Sequence, residues 1–447
     1  MSTVSAVREP RPELKRELGL GSAVAAVAGE AIGVGIFLTP AAMAKSLGSP
    51  FWLLVVWLAV GAMSMSGALC FGELAARFPR SGGSYIYLQE TYGPRTAFLY
   101  GWMCLLVLDP GLTAALATGA AAYAAYIFHW SPFANKIAAV SCIWLLCLLN
   151  ALSTRVSASF LRSTTWLKLG VLALLTVWAI VFHLGSWSNF VPFVARHAGS
   201  APLAPALAGG AVAAFFSFGG WWDVSKIAGE VRNPATTLPR ALLLGVLFVT
   251  AAYVLVSVVF VYLVPLDKVT SDETFVAQAG KVLFGPAGAA TLSVIVIVCV
   301  VGSMAALIIS APRVYFAMAQ DRVFLPAVAH ISPKFGTPAL AIAILGGVSS
   351  VLVVLGTFQQ IISYFVFVAV LFLGLTVAGL FILRRWRQNP NLNVLTPGYP
   401  FTPLAFLALV LLLLILMAGR SPLEALLGIG VVLAGLPVYQ AFRWKLV

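Results

Sequence analysis

Lys168 stands in the apolar run Trp166-Leu167-Lys168-Leu169-Gly170, and it is the residue from which any chemistry in this chain has to be argued. A cation held at mid-bilayer costs about 2.5–3.5 kcal/mol on insertion scales, so such a lysine is expected to face a polar interior and to have a task. The alternative is a lysine near a helix end, snorkelling to the interface beside Arg162. Two acids share its situation: Glu30 in AVAGEAIGVGIF and Asp109 in LLVLDPG. A second source of chemistry is the backbone. Gly33-Val34-Gly35 and Gly219-Gly220 each interrupt an apolar run. One such pair would ordinarily only let helices pack closely. Two of them at corresponding places predict helices unwound at mid-depth, where backbone is tolerated only if it is buried or lines a cavity. The N-termini of the resulting half-helices suit a carboxylate, and the freed carbonyls suit an ammonium group.

Bond-making chemistry finds no comparable support. There is no phosphate-cradling glycine loop with its lysine, no HExxH pair and no GxSxG elbow. His129, His183, His197 and His330 are scattered, mostly at the ends of apolar stretches, and Cys70, Cys104, Cys142, Cys147 and Cys299 all fall inside them. Thiols there pack as small hydrophobes, so no disulfide framework, metal site or cofactor is expected. A channel would call for a charged ring or a carbonyl filter rather than one mid-depth pocket.

The elements that position these residues follow from composition. Of 447 residues 61% are hydrophobic and only 9% are charged, which excludes a water-soluble fold because the apolar surface has to face lipid. The net charge of +13 sits in short segments between apolar runs, not on one polar face, so nucleic acid is not an expected partner. Spanning a bilayer takes roughly 20 apolar residues, and twelve such runs are found near 20–43, 51–76, 96–127, 136–153, 163–184, 204–228, 240–264, 284–312, 338–357, 361–383, 400–418 and 423–441. With the N-terminus inside, twenty of the 27 basic residues, Lys226 and Arg313 among them, fall in cytoplasmic segments; six (Lys45, Lys136, Arg196, Lys268, Lys281, Arg420) fall outside and Lys168 lies within a span. That asymmetry predicts both termini in the cytoplasm of a multi-pass cell-membrane protein. Residues 1–18 are expected to form a cytoplasmic tail that is not cleaved, and 19–447 a single transmembrane domain. The two breaks lie five spans apart, so 19–184 and 204–383 are expected to form two inverted five-helix repeats, with 400–441 adding two helices. The segment from 313 to 337 is expected to hold short interfacial helices.

Four ordered blocks resemble a known family. GEAIGVGIFLTP (29–40) with GALCFGELAARFPRSGGSYIYLQETYGP (67–94), FFSFGGWWDVSKIAGEVRNPATTLPRA (215–241), and APRVYFAMAQDRVFLP (311–326) with Thr337-Pro338 are similar to the amino acid, polyamine and organocation superfamily, most of all its L-type amino acid transporter branch. The resemblance implies the all-α, twelve-span fold of the bacterial leucine transporter, with helices 1 and 6 broken. It implies a sodium-independent permease for L-amino acids, neutral ones first, an exchanger or facilitator working by alternating access, and no enzymatic activity.

By the same resemblance Ile32, Gly33, Val34, Gly35 and Ile36 receive the substrate carboxylate. Phe216, Ser217, Phe218, Gly219 and Gly220 receive its amino group, and Phe216 takes the place of a gating aromatic. Lys168 takes the place where sodium-coupled relatives bind the ion, bridging helix 1 to helix 8. Val34 replaces a common serine, which leaves carboxylate binding there to backbone N–H groups. Glu30 stands where relatives carry a small or hydroxyl residue and Asp109 where several carry a base. Either both acids are structural, paired with Lys168 or with backbone, or they turn the pocket toward cationic side chains or proton coupling. Relatives with a heavy chain carry a cysteine between helices 3 and 4; Tyr126-Ile127-Phe128-His129-Trp130-Ser131-Pro132 has none, so no disulfide-linked heavy chain is expected.

Overall fold

The computed structural model describes residues 14, 16–33, 35–152, 154–269, 275–356, 358–386, 394–420 and 422–444. Val34 and most of the 1–18 tail lie outside the described residues. In chain order the helices are α1 (Leu20–Ala31), α2 (Gly35–Leu47), α3 (Pro50–Arg77), α4 (Ser84–Tyr92), α5 (Pro94–Met103), α6 (Asp109–Phe128), α7 (Pro132–Leu152), α8 (Thr154–Val181), α9 (Leu203–Phe218), α10 (Pro234–Leu263), α11 (Phe275–Phe284), α12 (Gly288–Ser310), α13 (Pro312–Gln320), α14 (Ala339–Leu355), α15 (Phe358–Trp386), α16 (Phe401–Arg420), α17 (Pro422–Leu433) and α18 (Gly435–Trp444). Ten helical runs among the described residues, the interrupted Leu203–Glu230 included, are long and apolar enough to cross a membrane. The broken pair α1 and α2 makes one further span and the 17-residue α14 another, so the protein is an all-α bundle of about twelve spans.

Both breaks fall where the glycines are. The chain leaves α1 at Ile32 and resumes as α2 at Gly35; α9 ends at Phe218, and after Gly219-Gly220 a tight 3₁₀ run covers Trp221–Glu230. The two broken spans lie side by side and antiparallel, as inverted repeats require: α2 packs on α9, and α1 packs on the 3₁₀ run. Around them α8, α10 and α12 pack against α1, while α3 packs against α9 and α10.

The segment from 313 to 337 does hold short helices: α13, buried from Pro312 through Ala319, prolongs α12, and a 3₁₀ turn at Pro326–Ala329 lies at the protein surface. One expectation needs correction: Lys226 and Arg313 are not loop cations, since their side chains are only 1% and 2% exposed. The basic asymmetry survives without them. A helix that the hydropathy pattern did not predict, α11, lies between α10 and α12.

Candidate functional site

An unwound helix leaves its last carbonyls without intrahelical donors, and buried carbonyls have to be satisfied elsewhere. Lys168, fully buried on α8, supplies them. Its Nζ donates to Gly29 O at 2.7 Å and Ile32 O at 3.0 Å on the α1 side, and to Ser303 Oγ at 2.8 Å and Cys299 O at 3.3 Å on α12. Ser303 Oγ itself lies 2.7 Å from Gly29 O and 2.8 Å from Ile32 O. The lysine therefore ties the end of α1 to α12 through neutral oxygens. The Tyr253 hydroxyl lies 2.6 Å from both Ala31 O and Ser217 O, which places one phenol across the two breaks.

Gly35 and Gly220 are glycines for steric reasons. A Cβ on Gly35 would stand 2.7 Å from Ser217 Cα, so only glycine lets the first turn of α2 approach the last turn of α9. Thr39 Oγ1 and Ser217 Oγ, 3.0 Å apart, close that contact. Gly220 has φ +102°, and a Cβ there would meet Glu30 Cγ at 2.7 Å. Ile32, Gly33, Gly35, Ile36, Ser217, Phe218 and Gly220 are thus brought together and buried, with Gly219 half-buried among them. Phe218 packs edge-on against Tyr253 and beside Trp57, while Phe216 is half-buried at the margin of the same core.

The two acids do not pair with Lys168. Glu30 Oε1 accepts from Ser310 Oγ at 2.9 Å. Asp109 opens α6 directly after a wide turn at Cys104–Leu108, where Pro110 has no N–H to offer the preceding turn. Its Oδ1 accepts from Lys226 Nζ at 2.8 Å and its Oδ2 from the Tyr315 hydroxyl at 3.2 Å. Lys226 also pairs with Asp223 at 3.0 Å. Lys226, Asp223, Tyr253, Ser303, Ser310 and Tyr315 were missed in the sequence. Asp223 and Lys226 did carry a signal, a spacing of three directly behind the second break, which sets two opposite charges on one face of a helical turn. Farther along, Arg313 grips Glu230 with Nε at 2.7 Å and Nη2 at 3.2 Å, both side chains buried.

Residues 18–432, nearly the whole chain, match the family model described as amino acid permease. The chain belongs to that family, whose members are transporters. The serine/threonine exchanger SteT of Bacillus subtilis is 29% identical over 433 residues, covering 96% of this permease and 97% of that protein. The b(0,+)-type amino acid transporter 1 of Oryctolagus cuniculus is 30% identical over 389 residues, 85% of this permease and 79% of that chain. The large neutral amino acids transporter small subunit 2 of Mus musculus is 29% identical over 437 residues, with coverages of 95% and 81%. Among the described residues the permease has no cluster of side chains fit to hold a metal ion, and all five cysteines are free thiols.

Proposed function

We propose that the permease is a sodium-independent exchanger of L-amino acids with neutral side chains, working by alternating access in the cell membrane with both termini in the cytoplasm. The observation that carries the reading is Lys168 Nζ set among the carbonyls of Gly29, Ile32 and Cys299, a fixed charge where a transported ion would have to come and go. In this reading the substrate carboxylate docks at the first break, on the N–H groups that open α2 at Gly35 and Ile36, the Gly33 N–H being already given to Ala31 O at 2.7 Å. The ammonium docks on the last carbonyls of α9, at Phe216, Ser217 and Phe218, and Phe216 covers the site. The names of the exchanger from Bacillus subtilis and of the mouse neutral amino acid transporter support both the exchange mode and the neutral class.

Purified permease in proteoliposomes loaded with serine, threonine or leucine is expected to take up labelled substrate faster than empty vesicles, at the same rate in sodium and in choline. A steep rise with external sodium would refute the role given to Lys168. The permease is also expected to act without a disulfide-linked subunit; a reducible higher-mass band on non-reducing gels of native membranes would count against this.

A further inference from the structure

We propose that Glu30 and Asp223 share one proton, and that this proton locks the end of α1 onto the 3₁₀ run behind the second break. The lock rests on the exchanger reading above, since it closes one step of that cycle; the proton does not.

The two carboxyl groups are brought together by the backbone. Glu30 is the last residue but one of α1, and its Cγ lies against Gly220, where a Cβ would stand 2.7 Å away. Asp223 N donates to Gly220 O at 3.0 Å, which sets Asp223 one turn beyond that contact. The Glu30 and Asp223 carboxyl groups lie within hydrogen-bond reach of each other, and both residues are buried.

Every other donor in the neighbourhood is already placed. Ser310 Oγ of α12 donates to Glu30 Oε1 at 2.9 Å. Lys226 Nζ serves Asp223 Oδ2 at 3.0 Å and Asp109 Oδ1 at 2.8 Å, and the Tyr315 hydroxyl of α13 serves Asp109 Oδ2. Tyr253 of α10 is spent on Ala31 O and Ser217 O, and Lys168 of α8 on the carbonyls at the other side of the α1 terminus. Tyr100 of α5 and Cys104 face the Asp109 and Lys226 side of the cluster. That leaves Glu30 Oε2 and Asp223 Oδ1, two buried acceptors without a donor among the described residues, on carboxyl groups that face each other. Two carboxylates so placed repel, and a single proton turns their contact into a hydrogen bond, one carboxyl donating and the other accepting.

Charge balance asks for the same proton. Glu30, Asp109 and Asp223 bring three buried carboxyl groups against the ammonium of Lys226, and counting Lys168 as well still leaves one negative charge without a partner. One proton removes it. Its loss would replace a hydrogen bond between the two half-spans by repulsion of like charges, so alkaline pH weakens the contact that acid strengthens.

The test starts from the proton itself. Infrared spectra of the full-length wild type at neutral pH should show the C=O band of a protonated carboxyl group, shifted in deuterium oxide and lost in Glu30→Gln. No such band in the wild type, or a band undiminished in both Glu30→Gln and Asp223→Asn, would overturn the proposal. In proteoliposomes with equal pH on both sides, wild-type serine exchange should fall at least fivefold between about pH 6 and about pH 8.5. Glu30→Gln, whose amide N–H makes the bond without a borrowed proton, should vary less than twofold over the same range. A flat wild-type profile, or a Glu30→Gln profile like that of the wild type, would overturn the lock. Should Glu30→Gln fail to accumulate, Asp223→Asn takes its place, its amide donating to Glu30 and its carbonyl serving Lys226. A pH gradient that drives uphill serine uptake would make the proton cargo and equally overturn the lock. Wild-type vesicles that exchange no neutral amino acid would instead defeat the exchanger reading, leaving the infrared band to decide on the proton.

Discussion

Two buried lysines in one bundle show how far partners decide what a residue does. Lys168 is held by backbone carbonyls and a serine hydroxyl, so its charge remains the net charge of its surroundings, whereas Lys226 is matched by Asp109 and Asp223. A hydrogen bond from a charged donor contributes about 1.5–3 kcal/mol, so losing the set at Lys168 should let the end of α1 drift from α12. Lys168→Ala is expected to lower initial exchange rates at least tenfold, roughly 1.4 kcal/mol or more, with the amount of inserted protein unchanged. Exchange at the wild-type rate per inserted molecule would remove Lys168 from the mechanism. The position was legible because a lysine among leucines needs a reason to be there; which oxygens it serves was not, since backbone carbonyls leave no mark in a sequence.

At the scale of elements the two broken spans depend on contacts between backbones. Gly35 faces Ser217 Cα, an atom that cannot yield, while a Cβ on Gly33 would meet side-chain atoms at longer range, Leu116 Cδ2 at 3.2 Å and Ser303 Oγ and Cβ at 3.4 and 3.5 Å. Gly35→Ala should therefore push α2 away from α9 and reduce exchange at least tenfold below Gly33→Ala, read as initial rates for equal amounts of inserted protein. Equal activity of the two variants would show that the approach of α2 to α9 is not needed. Gly220→Ala adds a positive φ, which costs a non-glycine residue about 1–2 kcal/mol, to its clash with Glu30, and should lower the melting temperature of the solubilised permease. Both breaks were readable from glycine placement. The 3₁₀ course of Trp221–Glu230 was not, because the apolar run placed 204–228 in one span and hydropathy does not say how tightly a helical stretch winds.

For the molecule as a whole, alternating access requires contacts at each end that close in turn. At the Leu18 end Leu18 N donates to Glu230 O at 2.9 Å and Arg232 N to Leu18 O at 2.8 Å, with the Arg313–Glu230 pair behind them. At the Leu47 end Arg196 donates to Leu47 O at 2.8 Å, Ser46 O at 2.9 Å and Ala201 O, and Ser49 Oγ donates to Phe193 O at 2.8 Å. Breaking a buried ion pair from one side costs about 3–5 kcal/mol, enough to shift a two-state equilibrium strongly. Glu230→Gln should favour the state open at the Leu18 end. A cysteine placed at Ser22, which lines the small cavity beside Glu230 and Arg313, should then react with a thiol reagent at least tenfold faster than in the parent. An unchanged labelling rate would show that the pair does not gate that end.

The amino-acid sequence by itself determined the membrane class, the span count, both breaks and the singular standing of Lys168. These are one-dimensional signals: lipid demands an apolar run of fixed length, an unwound helix demands glycine, and an unpaired charge in such a run announces itself. Only the tertiary structure decided which charges meet. Asp109 finds Lys226 from another helix, far along the chain, and Glu30 finds Ser310 rather than Lys168. Hydropathy says that a residue is inside but not which face of its helix meets which neighbour. In a bundle apolar on nearly every face, that choice rests on close packing and on matching buried charges, which exist only once the helices are assembled.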